Sequence, residues 1–419
     1  MAIGYACLTI GVPGTIISSC TLKNATEDHI RALIQRNLTA LEAMIDYNIK
    51  HGIHLFRISS DLIPFGSHPV NQVLWWKDYR DYFEVLGDKI KKAGLRVSMH
   101  PGQYTVINSN DPQVVERSVQ ELVYHTRFLD TLDVDRTNKL ILHIGGVYGN
   151  KINASNNFIR EYARLSEEVK KRLVIENDER SYNISEVLEI SGACGAPVIF
   201  DNLHHRINPP VEQLTDQEWI TRCRNTWRQE DGRQKIHYSQ QKEQSPPGSH
   251  SDTIYLQPFM DYYQMLGETI PDIMLEVKDK NLSAIKCIHA AIDHPPAKKL
   301  ETEWARYQYY VQSKDDKAYQ SIRELLKEKE ARVSKDFYEI IEKVIRLPEN
   351  IDAEINVAQH VWGHLNKDCT ASDKKRYEKL LEGYRRGTST LQTLKKHLLK
   401  CSILQGQDYL IQSLYFYLN

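Results

Sequence analysis

The chain of 419 residues has no Cys-x-x-Cys pair, and its seven cysteines, an odd number, are scattered singly between Cys7 and Cys401. That pattern excludes a secreted disulfide framework and predicts the reduced thiols of a cytosolic protein. No apolar run approaches the ~18 residues of a membrane-spanning helix. The opening MAIGYACLTIG lacks a basic stretch before its apolar residues, so a strand is expected there rather than a signal peptide. Basic residues show no surplus: 54 Lys and Arg face 55 Asp and Glu, a net charge of −1. A nucleic-acid binder usually carries a basic excess, so this balance weighs against one, although a local basic groove can hide in a neutral total. Neither G-x-G-x-x-G nor G-x-x-x-x-G-K occurs, which counts against an open, doubly wound nucleotide-binding sheet.

What is present is a rhythm. Up to Lys280, short apolar runs alternate with longer stretches whose apolar residues recur at helical spacing. The runs IGYACLTI, HLFRISS, LRVSMH, LILHIG, LVIEND, PVIFDN, KIHYS and IMLEVK make eight candidate strands. Strand–helix alternation implies a parallel sheet, and eight units at this length fit a closed (β/α)8 TIM barrel, in the α/β class. The segment SQQKEQSPPGSHSD in the seventh unit is expected to be an ordered functional loop. From Lys298 the chain is charged, aromatic and helical in pattern, with no strand-like run. A boundary is therefore expected at His294-Pro295-Pro296, giving a barrel domain over 1–295 and a smaller all-α domain over 296–419.

In such a barrel the chemistry gathers at the C-terminal ends of the strands, where the βα loops converge. Those ends carry His100, His143, Glu176 and Asp201, with His204 three residues after Asp201. The seventh strand sets Lys235 and His237 on one face, two residues apart. The eighth carries Glu276, and the loops after the second and seventh add His68 and His250. A lone histidine in an apolar run is more often a hydrogen-bonded core residue than a ligand. The carboxylates of Glu176, Asp201 and Glu276 are harder to place, because each follows apolar residues where burial without a partner is costly. Separate salt bridges to Arg57 or to strand lysines are one account, and they require a coincidence at each of six strands. A shared metal cluster is the other, and it accounts for all of them together. Imidazole with carboxylate suits Zn, Mn or Fe, and no cysteine stands at these positions to favour a thiolate site. Six histidines and three carboxylates exceed the four ligands of one tetrahedral ion. They can serve two or three ions if a carboxylate bridges, an arrangement suited to phosphodiester hydrolysis.

Taken in order, GYAC, FRISSDLIPFGSH, HPGQY, HIGG, IEND, FDNLHH, KIHYS and MLEVKDK resemble the UV damage endonuclease family over residues 1–295. The resemblance implies a TIM barrel related to apurinic endonucleases of the endonuclease IV type. It implies a DNA-repair enzyme of the cytoplasm, a monomer acting on damaged double-stranded DNA. The backbone would be cut immediately 5′ to cyclobutane dimers and 6-4 photoproducts, leaving a 3′-hydroxyl and a 5′-phosphate. Other distorting lesions and abasic sites are the further candidate substrates. By the same resemblance two to three divalent ions, Mn2+ first and Zn2+ as the alternative, fall on His68, His100, His143, Glu176, Asp201, His204, His237, His250 and Glu276. Glu176 would bridge, and Glu176, Lys235 and His237 would form the catalytic set, with Lys235 at a position where the family can carry a carboxylated lysine. Gln103 and Tyr104 fall on a damage-probing pair. Tyr5 is a further candidate for contact with an extruded lesion, set against a packing role at the barrel mouth. Extruding a bipyrimidine lesion costs less than extruding intact bases, because it pairs and stacks poorly.

The stretches EWARYQYY, NVAQHVWGHL, EGYRRG and LKKHL resemble a YbgA-like helical domain of unassigned function over 300–419. His360 and His364 have zinc-ligand spacing there, but without the Glu of H-E-x-x-H a structural role is expected. Two other classes compete with the endonuclease. A sugar isomerase of the xylose-isomerase type also builds His, Glu and Asp metal sites in a barrel, but needs a closed pocket. A non-catalytic damage-binding protein would not need the full ligand set. HPGQY and the basic-aromatic WWKDYR favour an open groove.

Overall fold

In the computed structural model, which describes residues 1–292, 296–327 and 333–418, all eight expected strands form. They are β1 (Ile3–Ala6), β2 (Leu55–Ile58), β3 (Arg96–Met99), β4 (Leu140–His143), β5 (Leu173–Glu176), β6 (Val198–Ile199), β7 (Lys235–Tyr238) and β8 (Asp272–Leu275). Every ladder is parallel, in the order β6-β5-β4-β3-β2-β1-β8-β7. The strands read as continuous apolar runs because a sheet covered on both faces buries every side chain, and six of the eight are buried throughout.

The ring closes between β6 and β7. A bridge pairs Asp201 with His237, and the His237 N–H donates to the Phe200 carbonyl at 3.0 Å. Asn202 then ties the two strand ends, donating to the Ser239 carbonyl at 3.0 Å while its own carbonyl oxygen accepts the Ser239 N–H at 2.8 Å. The result is a TIM-barrel fold.

The crossovers are punctuated as their sequences demand. Helix Glu27–His51 starts at Thr26, whose side chain accepts the His29 N–H, and stops at Gly52 in the left-handed conformation. Helix Pro112–Thr131 opens with a proline in its first turn and Asp111 as its cap. The loop over 239–252 is ordered, as expected. Gln241 pairs with His250 across it, and the Lys242 N–H donates to the Ser249 carbonyl at 2.7 Å.

The described chain divides into two compact units. One holds 1–9, 14–254 and 261–285 and contains the barrel; the other holds 10–13, 255–260 and 286–419. Of the expected boundary, His294 and Pro295 lie outside the described residues. The grouping of 10–13 and 255–260 with the second unit was not expected. From Ala297 onward the described residues form helices and no strand. Ile351–Leu365 and Leu391–Leu404 pack through Val357, Val361, Leu394 and Leu398. Among the described residues no helix is long and apolar enough to cross a membrane.

Candidate metal centre at the barrel mouth

Glu176 is the hub. It ends β5 in register with His143 on β4 and is 1% exposed. Its Oε1 accepts from His237 Nδ1 at 2.6 Å. Its Oε2 lies 3.3 Å from His100 Nε2 and 3.7 Å from His143 Nε2. Three sets of donor atoms each lie within 4.8 Å of one another: His100, His143 and Glu176; Glu176, Asp201 and His204; Glu176, His237 and Glu276. Glu176 belongs to all three.

Backbone hydrogen bonds aim the rings. His100 Nδ1–H donates to the Pro101 carbonyl at 2.9 Å, and His204 Nδ1–H to the Asn177 carbonyl at 2.9 Å. Each leaves Nε2 as the donor atom for a cation, which is how protein partners fix the tautomer of a ligating imidazole. Asn177 also locks β5 to β6: its amide donates to the Asp201 carbonyl and accepts the Asp201 N–H. Asp201 uses Oδ1 to cap the helix Asn202–Ile207, accepting the N–H groups of Leu203 and His204 at 2.8 Å.

Three buried atoms here make no hydrogen bond among the described residues: Glu176 Oε2, Asp201 Oδ2 and His143 Nδ1. Each such atom costs about 1–3 kcal/mol when nothing satisfies it. Two orphaned carboxylate oxygens among imidazoles form a donor set that fits divalent cations. The salt-bridge account holds for one residue. Arg57 Nη2 reaches Glu276 Oε1 at 2.5 Å and also donates to His237 Nε2 at 2.9 Å. Among the described residues no lysine or arginine pairs with Glu176 or Asp201.

The charge states follow from burial and company. Burial raises the Glu176 carboxyl, but His237, His100 and His143 outweigh it and hold it well below the usual carboxylate range. Burial drives His143 and His237 down to about 4. Burial raises Asp201, with Glu176 and Glu276 adding repulsion against the pull of His204. Burial lowers His204, but Asp201, Glu176 and Glu276 raise it further, to about 9. His204 is thus held toward its protonated form at neutral pH, and a cation that took it as a ligand would have to displace that proton. Cation affinity should therefore rise with pH up to about 9, and loading the metal-free protein in weakly buffered neutral solution should release protons to an indicator dye. Loading without proton release would contradict this charge state.

Not every expected residue joins the cluster. His250 approaches Glu276 Oε2 at 3.8 Å. His68 is exposed outside the three sets, its Nδ1 accepting the Val70 N–H at 3.1 Å. Lys235 lies two residues before His237 on β7 and is 1% exposed. Gln103 and Tyr104 are exposed, Tyr104 by 74%. A Cβ on Gly102 would lie 2.5 Å from the Tyr104 ring, so glycine is what allows the ring to fold back there. Tyr104 and His68 line one cavity of about 670 Å³ together with Arg117 and Glu121.

Two expectations are corrected. Tyr5 is fully buried, its hydroxyl donating to Asn48 Oδ1 at 2.9 Å and its ring 5.1 Å from Phe56. It packs β1 against helix Glu27–His51 and offers no surface to a base. WWKDYR does not form a basic groove. Trp75 is buried against Phe83 and Phe128. Trp76, Lys77 and Arg80 line a cavity of about 1230 Å³ that also carries Glu84, Asp88 and Asp130, a mixed-charge wall ill suited to phosphates. His360 and His364 stack on each other, and His364 Nε2 lies 3.2 Å from the Tyr309 hydroxyl, a structural setting as expected. Asn177 and Asn202 were passed over in the sequence. Their signal was position, since each directly follows a carboxylate at a strand end.

A family model described as UV-endonuclease UvdE matches residues 2–300, and one described as a protein of unknown function, DUF1722, matches residues 308–418. A UV DNA damage endonuclease of Clostridium perfringens (strain 13 / Type A) is 47% identical over 291 residues, covering 69% of this chain and 70% of that protein. One of Bacillus cereus (strain Q1) is 30% identical over 270 residues, covering 64% and 84%. The crystal structure of SacUVDE aligns with a TM-score of 0.65 at 37% identity, covering 69% of this chain and 96% of that one. Matched along the whole barrel in sequence and in fold, the chain belongs to the UV-endonuclease UvdE family.

Proposed function

We propose that this UV DNA damage endonuclease cuts the phosphodiester bond immediately 5′ to cyclobutane dimers and 6-4 photoproducts, with two to three divalent ions, Mn2+ first, gathered about Glu176. The observation that carries the proposal is the membership of Glu176 in all three donor sets while its Oε2 and Asp201 Oδ2 go unsatisfied. His100, His143, Asp201, His204, His237, His250 and Glu276 would complete the ligand set, with His68 included on resemblance. Bound ions would polarise the phosphate, acidify a water and steady the leaving oxygen.

The chain's own groups supply position and charge. Asn177 and the carbonyl of Pro101 hold the ring tautomers, and Arg57 offsets the negative charge on Glu276. Burial, with Arg96 and Arg57 nearby, holds the Lys235 amine well below its usual range, a shift toward the neutral form that could take up carbon dioxide as a carbamate beside His237. Gln103 and Tyr104 would enter the gap left by the extruded lesion. The barrel, 1–295, would carry this activity, and the protein would act as a monomer in the cytoplasm.

Purified protein with Mn2+ and a duplex bearing one cyclobutane dimer should give a nick on the 5′ side, with a 3′-hydroxyl and a 5′-phosphate. No incision, with undamaged and chelator controls in place, would overturn the proposal. Tyr104→Ala removes a stacking surface worth about 1–3 kcal/mol per base. The ratio of incision on damaged to undamaged duplex should fall roughly ten- to a hundredfold while metal content stays constant. An unchanged ratio would remove Tyr104 from the probing role.

A further inference from the structure

The helical unit holds a second set of donors that the barrel chemistry does not use. Cys369 follows the short turn Asn366–Asp368, and Asp373 lies in the first turn of helix Ala371–Arg385. His397 and Cys401 are four residues apart on helix Leu391–Leu404, so they share one face. The two helices bring these short pairs together. One ligand atom each from Asp373, His397 and Cys401 lies within 4.8 Å of the others, and His397 Nε2 is 3.9 Å from Cys401 Sγ. The Cys369 thiol lies beside that of Cys401, outside this set of three, and is the neighbouring side chain able to supply a fourth donor.

The surroundings suit a cation. His397 and Cys401 are 4% and 3% exposed, while Cys369 and Asp373 are half-buried and leave an entry path. Gln405 Nε2–H donates to Cys369 Sγ at 3.3 Å, a contact that orients the sulfur. Trp362 stacks on Tyr377 at 4.1 Å and lies 6.4 Å from the His397 ring, restricting its rotation. Asp373 accepts from Thr370 Oγ1 through Oδ2. Lys400 and Arg376 stand close enough to offset the anionic ligands.

We infer that Cys369, Asp373, His397 and Cys401 form a tetrahedral site for a borderline-soft divalent cation, zinc above all, joining helix Ala371–Arg385 to helix Leu391–Leu404. Four protein ligands close the coordination shell, which marks a structural rather than a catalytic site. Loading releases the two thiol protons to solvent. It also moves the His397 proton from Nε2, where it now faces the Asp373 carbonyl at 3.1 Å, to Nδ1.

Cobalt(II) separates this site from the barrel, because only thiolate ligands give a near-ultraviolet charge-transfer band and the barrel cluster contains none. The reduced full-length protein should develop that band, with an intensity at saturation that corresponds to one thiolate-bound Co2+ per chain, and Zn2+ should bleach it. Cys369→Ser and Cys401→Ser should each remove most of it, and Glu176→Gln should leave it intact. Absence of the band, or its persistence in the double serine variant, would overturn the inference. Should Cys401→Ser lose helical circular dichroism, Asp373→Asn decides: the band should remain while the visible ligand-field absorption shifts, and an unshifted spectrum would exclude Asp373 and with it the four-donor site.

Discussion

Glu176→Gln should abolish incision and leave binding to damaged duplex nearly intact. The amide keeps the shape of the side chain and one oxygen to accept from His237, so packing in β5 should survive. What it loses is the negative charge common to all three donor sets. Clustered cations contribute several kcal/mol to stabilising the charge that develops on phosphate, and each ~1.4 kcal/mol is tenfold in rate. The turnover number should therefore fall by at least about a thousandfold. DNA affinity rests mainly on phosphate contacts, so a mobility-shift assay should change little. A variant that cuts at the wild-type rate would show that Glu176 is a hydrogen-bonding core residue and nothing more.

Arg57→Met should destabilise the protein strongly in chelator and far less in Mn2+. Arg57 is 7% exposed and reaches into the cluster, donating to Glu276 and His237 together. Removing one partner of a buried pair costs about 3–5 kcal/mol, because the other charge stays buried without compensation. For a domain of this size that is a fall in Tm on the order of 10 °C. Bound divalent ions would replace the lost positive charge and would themselves stabilise the folded state by linkage. Thermal unfolding with and without Mn2+ measures the difference. Equal losses in both conditions would mean that Arg57 supports the barrel independently of any cation.

The barrel was legible because its strands are buried on both faces, so their apolar runs stand out and polar residues at strand ends are conspicuous. His100, His143, Glu176 and Asp201 could be found that way, and the ring brings them together. Tyr5 could not be placed, since alternation along β1 does not say which layer a side chain joins; Asn48 on the following helix decides it. WWKDYR read as basic and aromatic, but burial of Trp75 and the acidic residues from neighbouring helices change its character. Arg57 looked like an ordinary salt-bridge partner, and only its second contact to His237 sets it apart. The Cys369, Asp373, His397 and Cys401 set was invisible for a related reason. Two pairs spaced by four, one at the start of one helix and one within another, carry no signal until the helices pack.

The most direct test of a shared Glu176 is the electron paramagnetic resonance of the Mn2+-loaded protein. Ions joined through one carboxylate are exchange-coupled, so the wild type should show a coupled spectrum once more than one Mn2+ is bound, and Glu176→Gln should revert to the signal of isolated ions. A wild-type protein saturated with Mn2+ that shows only the uncoupled signal would contradict the account.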